Sequence, residues 1–183
     1  AEVRDKAEQR LKDLVDKKKQ QLAQKLAKQF ENLNATWTDH FAKQLTRYTA
    51  ILQKMQARSD IAAGKGKDVT AVNATIQSAK TVIATAQTAV TAQAAKIYTL
   101  DPSAVATTTT ATTTSSGQEE LKKNLKIAFQ NLHSTLFKDL FALRDGPMTD
   151  VRKALQNALA ELGKIPGVDE DNETATSTEK SNQ

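Results

Sequence analysis

Large apolar side chains recur at intervals of three and four residues between positions 22 and 55. The mean spacing is about 3.7 residues, close to the period of an α-helix, whereas strand side chains alternate with period two. The pattern predicts one face of a long helix, with Leu45 lying beside its one polar slot, Gln44. Its members are Leu22, Leu26, Phe30, Leu33, Trp37, Phe41, Tyr48, Leu52 and Met55. We interpret the aromatic members, Trp37 included, as core residues and not as a ligand pocket.

A thinner apolar pattern extends this helix towards the N-terminus through Val3, Ala7, Leu11 and Val15, and Lys18 interrupts it. The remaining positions are mostly good helix formers with charged or amide side chains. We therefore predict an unbroken first helix from near Glu2 to near residue 62, about 90 Å long at 1.5 Å per residue. Such a helix is too long for a compact globule. Gly64 is the predicted left-handed residue at its end.

A second helix is predicted to begin after Asp68, a good N-cap residue, with Thr70 as the competing choice. Its apolar positions alternate steps of four and three, which is a heptad pattern. Lys80 is the only charged residue between positions 71 and 95, so we expect this helix to be the middle one, antiparallel to residues 31–60. The inward positions are Val72, Ile76, Ala79, Ile83, Ala86, Val90, Ala94 and Ile97.

A third helix begins near Gln118, and its aromatic residues should help it close a three-helix core. Gly146-Pro147 should break it, because proline lacks an N–H group and clashes with the preceding turn. A short fourth helix then runs from about Thr149 to Leu162. The inward positions of the last two helices are Leu121, Leu125, Ala128, Phe129, Leu132, Leu136, Phe137, Leu140, Phe141, Leu143, Val151, Leu155, Ala158, Leu159 and Leu162.

Taken together, these patterns predict an all-α fold: a long N-terminal helix, an antiparallel three-helix bundle resembling a coiled coil, and a fourth short helix. Residues 1–30 form a protruding charged stem, and residues 31–163 form the bundle. Within the bundle, residues 101–117 are a low-complexity Thr/Ser linker. Residues 164–183 are an acidic tail that we expect to be disordered.

The formal charge of +5 is unevenly distributed. Residues 1–30 carry nine Lys or Arg and five Asp or Glu, a net charge of +4, and residues 168–183 carry five acids and one lysine, a net charge of −4. Lys17, Lys18 and Lys19 are a possible contact for an anionic membrane surface, wall polymer or nucleic acid. The competing interpretation is a solvated helix surface.

Catalytic chemistry has no clear signature in this sequence. The chain lacks cysteine, so it has no disulfide and no thiolate nucleophile. The two histidines, His40 and His133, lie far apart, and a metal site would need Asp39 or Asp139 from elsewhere in the fold. We therefore predict a protein that is not an enzyme and has no cofactor or metal. Nucleic-acid binding is disfavoured, since no aromatic residues interleave with the lysines.

Several short segments of the sequence form a recognisable set. They are Trp37-Thr-Asp-His-Phe41, Gly66-Lys-Asp-Val-Thr-Ala-Val72, Gln93-Ala-Ala-Lys96 with Tyr98-Thr99, Leu143-Arg-Asp145 and Ile165-Pro-Gly-Val-Asp169. Together they resemble an uncharacterised family of secreted or envelope helical coiled-coil proteins from candidate-phyla (Patescibacteria-type) bacteria. The resemblance covers roughly residues 30–170, and the Gly146-Pro147 pair departs from it. It implies an extracytoplasmic location and a signal peptide that is missing before Ala1. It implies no catalytic residue.

The functional hypothesis is a non-enzymatic scaffold or spacer of the cell envelope. The stem would bury its apolar positions, Leu11, Val15, Leu22 and Leu26, against helix 4, against another copy or against an envelope protein. The alternative is a peripheral lipid-surface protein, or a protein that binds an anionic polymer through the basic stem. No run of about 18 apolar residues is present, so an integral membrane protein is not expected.

Overall fold

Four α-helices make up most of the described chain in the computed structural model, which describes residues 2–99 and 115–167. Helix α1 spans Glu2–Gly64, α2 spans Thr70–Ala94, α3 spans Ser115–Asp145 and α4 spans Pro147–Leu162. The predicted all-α fold is confirmed. Most of the predicted linker and tail lies outside the described residues, as do the side chains of residues 1–16, 19, 115–118, 120 and 121.

The chain forms two compact units, and α1 contributes to both of them. Unit 1 comprises Ala1–Thr38 and Gln93–Phe141, and unit 2 comprises Asp39–Ala92 and Ala142–Gln183. The division of the chain into a stem (1–30), a bundle (31–163) and a tail (164–183) stays a prediction.

The core of unit 2 is built from the heptad pattern of α2. Its six predicted positions from Val72 to Val90 are all buried, and Ile76, Ala79 and Ala86 are completely so. Because a heptad keeps every third or fourth side chain on one face, α2 presents a continuous seam to its neighbours. The buried apolar partners from α1 and α4 are Phe41, Leu45, Leu52, Met55, Ala62, Met148, Val151, Leu155, Ala158 and Leu162.

Helix α2 runs antiparallel to α1 in unit 2, as predicted. The hydroxyl of Ser59, which is completely buried, donates a hydrogen bond to Oδ1 of Asn73 over 2.9 Å. The amide of Gln56 donates to the same oxygen over 3.2 Å. Since Ser59 lies shortly before the turn and Asn73 shortly after it, the two helices pack side by side in opposite directions.

The turn between α1 and α2 corrects the predicted position of the left-handed residue. Gly64 is the last helical residue, and Gly66 has the positive φ of 76°. The N–H of Lys67 donates to the carbonyl of Ala62 over 3.0 Å, and the N–H of Gly66 donates to Ala63 over 2.9 Å. These two bonds form a Schellman motif, which places the left-handed residue at Gly66.

Asp68 caps the start of α2, as predicted. Its Oδ1 accepts a hydrogen bond from the backbone N–H of Thr70 over 2.9 Å. This bond lowers the pKa of the Asp68 carboxyl, because it stabilises the ionised form.

The predicted break at Gly146-Pro147 is confirmed, since α3 ends at Asp145 and α4 begins at Pro147. The N–H of Gly146 still donates to the carbonyl of Ala142 over 3.0 Å. A Cβ atom at position 146 would lie only 2.9 Å from that same oxygen, so the close approach requires glycine. Pro147 has no N–H to donate, and it occupies the first helical turn, where none is needed.

Three predicted inward positions of the second and fourth helices are wrong. Leu159 is 54% exposed. The buried positions of α4 begin at Met148 and recur at alternating intervals of three and four residues, so Ala158 takes the inward position and Leu159 does not. Ala94 is exposed because the heptad continues through the buried Gln93, three residues after Val90, and Ile97 is 74% exposed because α2 ends at Ala94. Ile165, which we had placed in the tail, is buried.

We predict opposite effects for alanine at the two glycines of the turn. Gly66→Ala should destabilise the protein by about 1 kcal/mol, because an L-residue resists the left-handed conformation. Gly64→Ala, the matched control, should be neutral or stabilise by up to about 1 kcal/mol, since it lies in the helix and a Cβ there meets nothing within 4 Å. Urea unfolding of both variants measures the difference. An equal effect at the two positions would contradict the assignment of Gly66.

Candidate functional site

Unit 1 contains a buried pair of amide side chains. Asn34 is 2% exposed and Gln93 is 3% exposed. The Nδ2 of Asn34 donates to the backbone carbonyl of Gln93 over 2.9 Å, and the Nε2 of Gln93 donates to Oδ1 of Asn34 over 3.0 Å. Buried polar groups need such partners, because an unsatisfied one costs roughly 1–3 kcal/mol. The pair therefore fixes the end of α2 against α1.

Tyr98 connects this pair to α3. Its hydroxyl accepts a hydrogen bond from Nε2 of Gln93 over 2.6 Å and donates one to Oδ2 of Asp139 over 2.7 Å. The ammonium of Lys96 donates to the same carboxylate oxygen over 2.9 Å. We call the five residues Asn34, Gln93, Lys96, Tyr98 and Asp139 the polar clasp, because they join three segments of unit 1.

The polar clasp shifts two pKa values in opposite directions. Burial, together with the hydrogen bond to Asp139, raises the pKa of Tyr98 to about 12, although the bond from Gln93 acts against the rise. Burial also disfavours the charged form of Asp139, but the hydrogen bonds from Lys96 and Tyr98 outweigh it and lower the pKa of that carboxyl. The clasp is therefore held together by a neutral phenol and an ionised carboxylate.

The aromatic residues of α3 form a second feature of unit 1. The rings of Phe129 and His133 have centroids 6.1 Å apart, those of His133 and Phe137 are 4.4 Å apart, and those of Phe137 and Phe141 are 5.7 Å apart. Phe129, the first of these four residues, also packs against Phe30 of α1, and the centroids of the two rings are 5.2 Å apart. We call Phe129, His133, Phe137 and Phe141 the aromatic ridge.

The aromatic ridge corrects our prediction that these phenylalanines close the core. Phe129 is 36% exposed, Phe141 is 44% exposed and Phe137 is half-buried. The reason is the spacing: four residues advance a helix by 400°, so each step moves the side chain about 40° around the axis. Leu136, Leu140 and Leu143 are separated by four and then three residues, so they stay on the same face and are buried.

In unit 1, α3 runs parallel to α1. Phe30 of α1 packs on Phe129, whereas Asn34, one turn later, is linked through Gln93 and Tyr98 to Asp139, ten residues later in α3. Both helices therefore advance in the same direction, and the clasp lies beside the ridge on one supporting helix.

Trp37 was predicted to be core, and it is 36% exposed instead. The buried positions of α1 around it are Asn34, Thr38 and Phe41, so Trp37 lies one residue away from the seam. The hydroxyl of Thr38 donates to the carbonyl of Asn34 over 2.9 Å, which satisfies it within the helix.

The predicted interaction face of the stem is described only in part. Leu22 is 41% exposed and Leu26 is half-buried, while the side chains of Leu11 and Val15 lie outside the described part of the chain. Lys17 and Lys18 are exposed, and the side chain of Lys19 is not among those described. Helix 4 as one possible cover for the stem stays a prediction. Binding by the stem stays a prediction.

The residues considered as metal ligands are separated and engaged elsewhere. Asp39 forms an ion pair with Lys43 over 2.6 Å, and His40 lies 3.1 Å from the amide of Gln44. His133 belongs to the aromatic ridge and Asp139 to the polar clasp. Among the described residues, no group of three or more His, Cys, Asp or Glu could hold a metal ion.

Unit 2 has an open groove of about 260 Å³ between α2 and α4. Its charged side chains are Asp150 and Lys153, both exposed. The remaining lining is small or neutral: Thr75, Ser78, Val82, Ala154 and Asn157. Sites that hold small ligands are mostly apolar and enclosed, whereas this groove is open and lined mainly by polar side chains.

None of the described helices combines the length and the apolar character needed to cross a bilayer. Comparison with protein-family models, with curated proteins and with solved structures finds no match to this chain. The resemblance to an envelope protein family therefore stays a prediction.

We predict that Tyr98→Phe destabilises the protein by about 1–2 kcal/mol, because it removes a buried hydroxyl that bonds both Gln93 and Asp139. The matched control is Tyr48→Phe, at a half-buried tyrosine of α1. It should cost less than about 0.5 kcal/mol, the usual range for a change without a specific mechanism. Thermal and urea unfolding measure both. Equal losses in the two variants would show that the clasp contributes nothing specific.

The pKa of Tyr98 also predicts a pH dependence. Since the pKa is raised from 10.0 to about 12 in the folded protein, the stabilisation is complete below about pH 10 and is lost as the pH rises towards 12. Wild-type protein should therefore lose more stability than Tyr98→Phe between about pH 9 and pH 11, because the variant lacks this titration. Urea unfolding midpoints of both proteins at the two pH values measure the loss of stability in each. Equal losses in the wild type and in Tyr98→Phe would contradict the prediction.

Proposed function

We propose that this chain is a non-enzymatic helical interaction protein, a scaffold or spacer of the cell envelope, and that unit 1 provides its binding surface. The observation that carries the proposal is the aromatic ridge, in which two phenylalanines of α3 remain 36% and 44% exposed. The envelope location is supported only by the family resemblance.

An exposed row of aromatic rings favours a binding role on energetic grounds. Apolar surface contributes roughly 25 cal/mol per Å² when it leaves water, and phenylalanine is among the residues enriched in interfaces. Contiguous exposed apolar surface on a helical protein is typical of an interaction site.

The polar clasp supports this role by holding the ridge in place. Asp139 lies on α3 between Phe137 and Phe141, and it is bound by Tyr98 and Lys96. A surface whose supporting helix is already ordered loses less conformational entropy when a partner binds. The two features together suit a preformed docking face.

A photo-crosslinking experiment in the producing cells tests the proposal. A benzoylphenylalanine probe is placed at Phe129 or at Phe141, and in a control chain at Leu159, an apolar position of unit 2 that is 54% exposed. We expect one discrete adduct of constant mass from both ridge positions and none from Leu159. Equal adducts at all three positions, or none at the ridge, would argue against a binding surface in unit 1.

The alternative function, binding of anionic lipid or polymer by the basic stem, has one observation in its favour. Lys17 and Lys18 are both exposed, and Leu22 is 41% exposed within two turns of them. Basic side chains beside an apolar residue are typical of helices that lie on an anionic surface.

Charge reversal separates this alternative from the ridge. Lys17→Glu with Lys18→Glu should abolish co-flotation with anionic vesicles, since each basic residue near such a surface contributes about 1 kcal/mol. The matched control is Lys54→Glu with Lys80→Glu, at two exposed lysines of unit 2. Flotation that both pairs reduce equally would indicate a response to net charge alone, and no flotation of the wild type would remove the alternative.

A further inference from the structure

We propose that the aromatic ridge binds an amphipathic helix of another protein whose apolar face is flanked by acidic residues. This inference rests on the proposed function and names the class of partner. Three observations on α3 carry it: the spacing of the rings, their contacts with each other, and the charges beside them.

The spacing of the ridge selects a helix as the occupant. Its four members are separated by four residues each, so they follow the i±4 row of the helix surface over about 18 Å. A helix that fits its own i±4 row beside this one crosses at about −50°. The heptad seam of α2 favours the smaller angle of about +20° instead. The ridge therefore offers an oblique docking site and not an extension of the bundle.

The ring contacts disfavour a lipid surface. Neighbouring rings of the ridge lie with centroids 4.4 to 6.1 Å apart along the helix, and Phe129 also packs on Phe30. Rings that pack against one another in this way lie along the helix surface and project little from it. Helices that bind at an interface instead bury an apolar face roughly 5–10 Å into the headgroup boundary. A ridge of this form fits into the groove between rows of side chains on another helix.

The charges beside the ridge select an acidic partner. Lys122, Lys123, Lys126 and Lys138 are all exposed on α3. Glu119 is already paired with Lys122 over 2.8 Å, and Asp139 is bound in the clasp. Among the side chains that the structure describes, Lys123 and Lys126 have no ion pair with an acidic residue, whereas Lys138 lies close enough to Asp139 to lower the pKa of that carboxyl. Lys123 and Lys126 can therefore pair with acidic residues at the rim of a bound helix.

The same charges disfavour a second copy of this chain as the occupant. A symmetric dimer would place the ridge of one copy against the ridge of the other, because a two-fold interface uses the same surface twice. The lysines beside the two ridges would then face each other, and like charges across an interface oppose binding. A partner of opposite charge has no such conflict.

A display selection on the full chain tests the inference. The library consists of 18-residue amphipathic helices with Leu, Ile, Phe or Met at the apolar positions and Glu, Gln or Lys at the flanking positions. We expect selected helices to carry Glu at the flanks and to bind at least about tenfold more tightly than the same helices with Lys there, as two or three rim ion pairs would give. Enrichment of Lys or Gln, or no enrichment, would overturn the inference.

Two variants of the chain show where the selected helices bind. Lys123→Glu with Lys126→Glu should reverse the preference, so that the Lys-flanked helix binds more tightly, while Lys54→Glu with Lys80→Glu should leave the preference unchanged.

Phe137→Gln with Phe141→Gln should weaken the binding of the Glu-flanked helix at least tenfold, with circular dichroism confirming that the variant remains folded. Because Phe137 and Phe141 are not fully buried, the variant keeps the buried residues Leu136 and Leu140 intact. A preference that does not reverse, or binding that survives the loss of both rings, would overturn the inference.

The outcomes also separate this inference from the proposed function. If ridge probes form an adduct in cells but the selection shows no acidic preference, unit 1 is a binding surface for a different partner. Anionic vesicles that bind through Phe137 and Phe141, or a dimer in sedimentation equilibrium that these substitutions abolish, would replace the acidic helix with lipid or a second copy. If neither the adduct nor ridge-dependent binding occurs, both proposals fail together.

Discussion

The reciprocal hydrogen bonding of Asn34 and Gln93 is the constraint on which unit 1 depends. Two buried amide side chains need hydrogen-bond partners, because each has lost its hydrogen bonds to water and an unsatisfied amide is costly. Sliding α2 by one heptad relative to α1 would separate them and leave both unsatisfied, so the pair fixes the register of the two helices, as a buried polar residue does in coiled coils. The position of Tyr98 follows from that register, and the position of Asp139 follows from Tyr98.

Apolar periodicity was sufficient to predict the helices and the seam of α2, because every buried position from Val72 to Val90 is apolar and in heptad phase. It was insufficient for α1, where Asn34, Thr38 and Ser59 occupy buried positions. A pattern that counts only apolar residues passes over them and assigns the neighbouring Trp37 to the core. The polar clasp escaped prediction for the same reason. Its only sequence signal is that Gln93 falls three residues after Val90, at the next heptad position.

The aromatic ridge shows the opposite error, since its phenylalanines are apolar and yet none of them is fully buried. Steps of four repeated without a step of three drift around the helix, and this drift could have been read from the positions of Phe129, His133, Phe137 and Phe141 alone. Gly64 and Gly66 illustrate a smaller ambiguity. Both are suitable for a left-handed residue, and which one adopts it depends on where the last helical hydrogen bond forms.

The contact between Tyr98 and Asp139 spans 41 residues of the chain, and the Thr-rich stretch 100–114 lies between them. The entropy lost in closing a flexible loop grows only with the logarithm of its length, so a doubling of the number of flexible residues in a connection costs about 0.6 kcal/mol. That is less than the cost of losing one buried hydrogen bond. A change in the number of residues between Thr99 and Ser115 should therefore cost little, in evolution or by design, because the contact of Tyr98 with Asp139 would still hold the aromatic ridge of α3 in position.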